Sequence, residues 1–135
     1  MSSIYQEIRS ALEGHLSLTP SIPAIAYDNV PYTPTVGTSF IKASLVPTSR
    51  RPAVRGLNPS NRYQGIFAIL ICTPEESGSG AGLDLADAIT DRFEATTDIS
   101  AGGIIVSLDY AEVGLSYPDA PYYCTPVTIG WYIYN

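Results

Sequence analysis

Histidine, methionine and tryptophan occur once each in this 135-residue chain, cysteine twice and phenylalanine three times, and lysine and arginine together number only seven. Each scarcity removes a class of function. Acyl-transfer chemistry needs a nucleophile, a base and an orienting group. The single histidine, His15, has no such companions in sequence and falls in the last turn of a predicted helix, where an imidazole near terminal carbonyls is favourable on electrostatic grounds alone. Cys72 and Cys124 lie far apart, neither with a Cys or His at metal-ligand spacing, so they read as small buried hydrophobes inside apolar strands. Seven basic residues against thirteen acidic ones give a net charge of −6. That excludes the basic footprint of a tight nucleic-acid binder, though an acidic wall past which DNA slides is compatible with it. No apolar run reaches membrane-spanning length. Met1 is followed by a charged amphipathic stretch instead of an apolar signal core, so a soluble, intracellular protein is expected. No catalytic, cofactor-binding or metal-binding residue is predicted.

What is present is alternation and punctuation. "SSIYQEIRSALEGHL" (2–16) places Ile4, Ile8, Ala11, Leu12 and Leu16 on one helical stripe, and Ser3 with Gln6 has capping-box spacing. Prolines 20 and 23 stop that helix, and a short strand follows near 25–27. Ile41, Ala43 and Leu45 alternate with Lys42 and Ser44, as in a strand with one wet face. "YQGIFAILICT" (63–73) is apolar on both faces and predicts an interior strand covered on both sides, by the second helix and loops or by another subunit. "GLDLADAITDRFEA" (82–95) reads as the second helix, with Leu85, Ala86, Ile89 and Phe93 inward. Strands over 102–113 and 122–134 close the chain, Pro126 placing the start of the last one at an edge or bulge. The expected architecture is one α+β domain over residues 1–135: a mainly antiparallel β-sheet with two α-helices packed on one face. The predicted core holds Ile8, Leu12, Phe67, Ile69, Leu85, Ile89, Phe93 and Trp131.

Three other features have a bland reading and a functional one. "GSGAG" (78–82) lacks the lysine and hydroxyl of a phosphate-binding loop and reads as a flexible link. Asp84, Asp87 and Asp91 at helical spacing form a solvated face. "TSRRPAVRGLNPSNR" (48–62) gathers Arg50, Arg51, Arg55 and Arg62, four of the seven basic residues, into what reads as a long loop. Its functional reading is an arm docking on an acidic surface such as that of a neighbouring copy. Ten tyrosines against three phenylalanines suit a surface that is wet in the free subunit and dry in an assembly. Tyr27, Tyr32, Tyr132 and Tyr134 join the four arginines as the predicted subunit or partner interface.

"AIAYDNVPYTPTVGTSFIKASLVP", "NRYQGIFAILICTPEESGSGAGLDLADAITDRF", "GGIIVSLDYAEVG" and "YYCTPVTIGWYIY", in that order, resemble a family of small phage and prophage proteins similar to the lambda-like tail terminators, also called tail completion or minor tail proteins. Tyr63-x-Gly65-Ile66-Phe67 leading to Pro74, and Ala86-Asp87-Ala88-Ile89 ending at Phe93, carry the resemblance most specifically. It implies a structural virion protein and no enzyme: a homo-oligomeric ring, of six subunits, that caps the tail tube protein and meets a head or neck connector. The ring would sit at the head-proximal end of the virion tail after assembly in the host cytoplasm, and DNA would pass its channel without specific binding. Two rivals stand beside this reading. One is another head-to-tail connector or neck protein. The other is a small peptide- or ligand-binding module that uses the tyrosines as a groove, which native mass spectrometry would separate from a ring.

Overall fold

In a computed structural model, the structure describes residues 4–19, 23–27, 38–52, 61–74, 78–94, 98–101, 104–119 and 121–134. The elements run α1 (Ile4–Ser17), β1 (Ala24–Tyr27), β2 (Phe40–Pro52), β3 (Asn61–Pro74), α2 (Gly78–Arg92), β4 (Asp98–Ala101), β5 (Ile104–Val113), β6 (Tyr117–Asp119) and β7 (Tyr122–Tyr134). Strand order across the sheet is β1-β2-β3-β7-β5-β4, and β6 pairs separately with β7. Both edges are four-residue strands, and β1 pairs with only Phe40–Ala43 of the thirteen-residue β2. The sheet is mainly antiparallel, as expected, but mixed: β1 runs parallel to β2, Ala24 opposite Phe40 through Tyr27 opposite Ala43. β1, β4 and β6 are too short to carry a directional or periodic signal, and β4 and β6 add to the expected order.

Both helices lie on one face. Ile8, Ala11, Leu12 and Leu16 of α1 and Ala86 and Ile89 of α2, with Phe93 just beyond, are buried against Ile41, Ala43, Phe67, Ile69, Ile71, Val106, Leu108, Val127, Ile129, Trp131 and Ile133 of the sheet. Each large apolar side chain so buried contributes about 1.5–3 kcal/mol. Leu85, expected in the core, is half-buried and packs against its rim. Helix α2 starts at Gly78, inside the stretch expected to be a link. Gly82 is needed there, because a Cβ would lie 2.9 Å from Thr125 Oγ1 of β7. Gly82, which looks like part of a linker in sequence, lets the helix approach the sheet closely.

Burial along β3 alternates, with Tyr63, Gly65, Phe67, Ile69 and Ile71 buried and Ile66, Ala68 and Leu70 half-buried. Among the described residues, the strand expected to be covered on both sides is covered by helices on one, and on the other only at its Cys72 end. Of the stretch expected as a loop over 48–62, the described residues 48–52 and 61–62 belong to paired strands. β2 continues to Pro52 and β3 begins at Asn61, with Arg50 opposite Tyr63, Arg51 opposite Arg62, and a bulge between Pro47 and Ser49. Alternating polar residues and arginines hid that pairing from an apolar pattern, and the Arg50 guanidinium 5.2 Å from the Tyr63 ring centre now helps hold it.

Pro126 lies mid-strand, opposite Leu70 of β3. Its carbonyl accepts a 2.8 Å hydrogen bond from the Gly114 amide, on the side where β7 changes partner from β6 to β5. Because N and O of one strand residue point the same way in an antiparallel pair, the nitrogen without a proton faces that same junction. The proline therefore sits at an irregularity, as its chemistry requires, and not at an edge of the sheet.

Candidate assembly surface

The sheet face away from the helices is built row by row by the cross-strand registers. Val46, Ile66, Gly130 and Tyr110 lie side by side across β2, β3, β7 and β5; Ser44, Ala68, Thr128 and Glu112 form the next row; Lys42, Leu70 and Pro126 the one after. At one end Phe40, Cys72, Cys124 and Tyr122 make a small second core, with the Phe40 and Tyr122 rings edge to face at 5.0 Å. Among the described residues no element covers the centre, where Val46 is 43% exposed and Ile66, Ala68 and Leu70 are half-buried. An apolar centre with a polar surround is the composition of a surface that becomes dry on association.

The opposite end is cationic and aromatic. Arg62 Nη1 donates to Gln64 Oε1 at 2.5 Å, and its guanidinium carbon lies 4.9 Å from the Tyr132 ring centre and 6.0 Å from that of Tyr134. The two tyrosines meet edge to face at 5.9 Å. Next to this cluster, Thr48, Gln64, Gly65, Ile66, Asp109, Tyr110, Gly130 and Trp131 enclose, with Arg62, a groove of about 350 Å³. A bulge on each side helps shape it, one between Pro47 and Ser49 and one between Leu108 and Tyr110. Gly130 gives Tyr110 its seat, since a Cβ there would come within 2.3 Å of the ring.

Of the eight residues predicted for an interface, the structure brings four together: Arg51, Arg62, Tyr132 and Tyr134 share one end of the open face. Arg50 lies one register position from Arg51, over Tyr63, and so belongs to the helix side. Tyr27 also turns to the helix side, packing against the core, where burial and then the Glu13 carboxylate push its hydroxyl above its ordinary value. Tyr32 and Arg55 lie outside the described residues. Gln64 and Asp109 were not foreseen, because their places depend on strand register and on bulges that leave no mark in composition.

The sequence profile of the family described as phage tail terminator protein matches residues 7–131, from the first turns of α1 to Trp131 in β7. The chain belongs to the phage tail terminator family. The chain is therefore a structural component of a bacteriophage tail and of the virion. Among the solved structures, one chain whose name states neither function nor source superposes with a TM-score of 0.77 at 20% identity, covering 98% of this chain and 96% of itself. That likeness concerns the fold. Among curated proteins there is no match.

The chain's scarce reactive groups, His15, Cys72 and Cys124, are engaged in packing. The His15 ring forms a 2.7 Å hydrogen bond through Nε2 with the Arg92 carbonyl oxygen, lies 4.9 Å edge to face on Phe93, and its own carbonyl accepts from Arg92 Nε at 3.3 Å. A carbonyl only accepts, so Nε2 carries the proton. The terminal carbonyl that His15 satisfies belongs to α2 and not to its own helix. Burial lowers its pKa first, the Arg92 hydrogen bond opposes that, and the Arg92 charge adds to it. Cys72 and Cys124 sit opposite each other on β3 and β7 as free thiols, Cys124 Sγ donating to Cys72 Sγ at 3.1 Å. Burial, and next the hydrogen bond from Cys124, push the Cys72 thiol up to about 12. Among the described residues no three His, Cys, Asp or Glu side chains converge on a point, and no helix is long and apolar enough to cross a membrane.

Proposed function

We propose that this chain is a non-enzymatic ring former: six copies close the growing end of the tail tube, end its polymerisation, and then present their far face to the head or neck connector. The observation that carries the reading is the open sheet face, with an apolar centre and an Arg-Tyr end that no described element of the chain covers. A ring needs a heterologous interface in which two different patches of one chain meet and the rotation closes. The asymmetry between a helix layer and a bare sheet face supplies two such patches. Capping requires only that one ring face copy the tube's docking surface while the other lacks the next docking site, so no bond is made or broken.

Charge supports passage of the genome. Six chains of −6 each carry about −36 in total, and any of it that lines the channel would repel DNA and keep it from adhering. In this reading the ring sits at the head-proximal end of the tail, assembles in the host cytoplasm, touches tube protein on one side and connector on the other, and leaves DNA unbound. The experiment is a phage lacking this chain, its tails measured by electron microscopy. Overlong tails, or tails of normal length that fail to join heads, are expected; normal joined tails would remove the proposal.

A further inference from the structure

We infer that the Arg51–Arg62 corner of the open sheet face is a receptor for a carboxylate of a second copy of the chain, an inference that rests on the ring reading above. Arg51 and Arg62 are direct register partners on β2 and β3. Like charges in that relation oppose strand pairing, yet among the described residues neither has a carboxylate within ion-pair distance. Arg62 is held in place all the same, its guanidinium over Tyr132 and Tyr134 and one nitrogen donating to Gln64 Oε1. Its Nε–H is buried without an acceptor.

A desolvated donor without a partner, carried on a cation, costs stability in the free subunit. That cost is offset when an anionic acceptor arrives, and a guanidinium already fixed by two rings loses little freedom on meeting a planar carboxylate. Asp109 lines the groove as well, and it directs an incoming anion to the arginine end by repelling it elsewhere. The chain itself is the natural source of that anion, since thirteen acidic residues against seven basic ones make any neighbouring copy rich in carboxylates. The open face thus has an apolar centre that gives area and a cationic corner that fixes register.

The full chain is followed by sedimentation velocity and native mass spectrometry over a concentration series at low and at moderate salt. Assembly of the unaltered chain is expected to weaken with salt. Arg62→Lys, which keeps the charge and loses the fork, is expected to raise the dissociation constant about thirtyfold, and Arg62→Glu to abolish assembly. Assembly of Arg62→Glu at the unaltered constant, with its melting curve unchanged, would overturn the inference and leave the ring standing. If the variants unfold, the unaltered chain decides: assembly whose constant does not change with salt overturns the corner as the contact. A chain that stays monomeric throughout and with tube protein present would remove ring and receptor together.

Discussion

Replacing Gly65 by alanine tests the packing of the two central strands against the bulged end of β2. A Cβ at Gly65 would stand 2.5 Å from the Val46 carbonyl oxygen, 2.6 Å from Trp131 Cζ2 and 3.0 Å from Pro47 Cα. Two of these three atoms are backbone, on a strand already distorted by its bulge, and the third belongs to a ring that is 1% exposed. None can withdraw without moving the core. Overpacking of this kind costs about 1–3 kcal/mol, and backbone contacts place it near the upper end. Alanine recovers about 0.5–1 kcal/mol by restricting the unfolded chain, so the net loss is about 2 kcal/mol. With an unfolding entropy of about 2.1 cal/mol/K per residue, that lowers Tm by roughly 7 °C. Circular dichroism should be run at a concentration where the chain is monomeric, since assembly would raise the apparent Tm. A red-shifted Trp131 emission in the folded variant is expected beside it. A fall below about 2 °C with unmoved emission would show that β2 yields freely, and the argument from its bulge would fail.

A Cβ on Gly14 of α1 would meet nothing within 4 Å, so Gly14→Ala should raise stability by about 0.5–1 kcal/mol in the same melts; a loss there would mean that this end of the helix is not regular. His15→Ala should cost about 2 kcal/mol, the sum of a hydrogen bond and an aromatic edge contact. Because the folded pKa of His15 lies below its ordinary 6.5, the stability it lends is complete above that pH and lost as pH falls through the lower folded value. Melts between pH 8 and 5 should show that decline in the unaltered chain and less of it in His15→Ala, and equal slopes would refute it. For the cysteines, with Cys72 raised to about 12, a disulfide dye at pH 8 should find no fast thiol in the folded chain and two after unfolding in denaturant.

The helices were legible because their apolar stripes follow a 3.6-residue period, and Ile8, Leu12, Ile89 and Phe93 lie where that period puts them. The long strands were legible through Ile41 and Ala43 or Val127, Ile129, Trp131 and Ile133. Legibility ended where pairing replaced patterning. Nothing in "TSRR" says that Ser49, Arg50 and Arg51 continue a ladder against Gln64, Tyr63 and Arg62, because that ladder is held by backbone bonds and ring contacts instead of alternating hydrophobes. The same limit divided the predicted interface: arginine and tyrosine content pointed to an interaction surface, but which of them share a face is decided by register, and one residue separates Arg50 from Arg51. The facing of Cys72 and Cys124 was likewise invisible, being a property of how β3 and β7 align.

β7, last of the elements in chain order, stands in the middle of the sheet, between β3 on one side and β5 and β6 on the other. During synthesis this means that β3 must wait, with Phe67, Ile69 and Ile71 exposed on one edge, until Tyr122–Tyr134 has been made and has left the ribosome. At about 5–20 residues per second, the interval between β3 and β7 lasts seconds, long beside the microseconds in which a hairpin forms. The β2–β3 hairpin is then an unfinished sheet with an open hydrophobic edge, and its pairing with β7 closes a long loop whose entropy slows the step. Nascent chains are accordingly most prone to mispair with one another at this stage, before any of them can present the finished face that a tail requires.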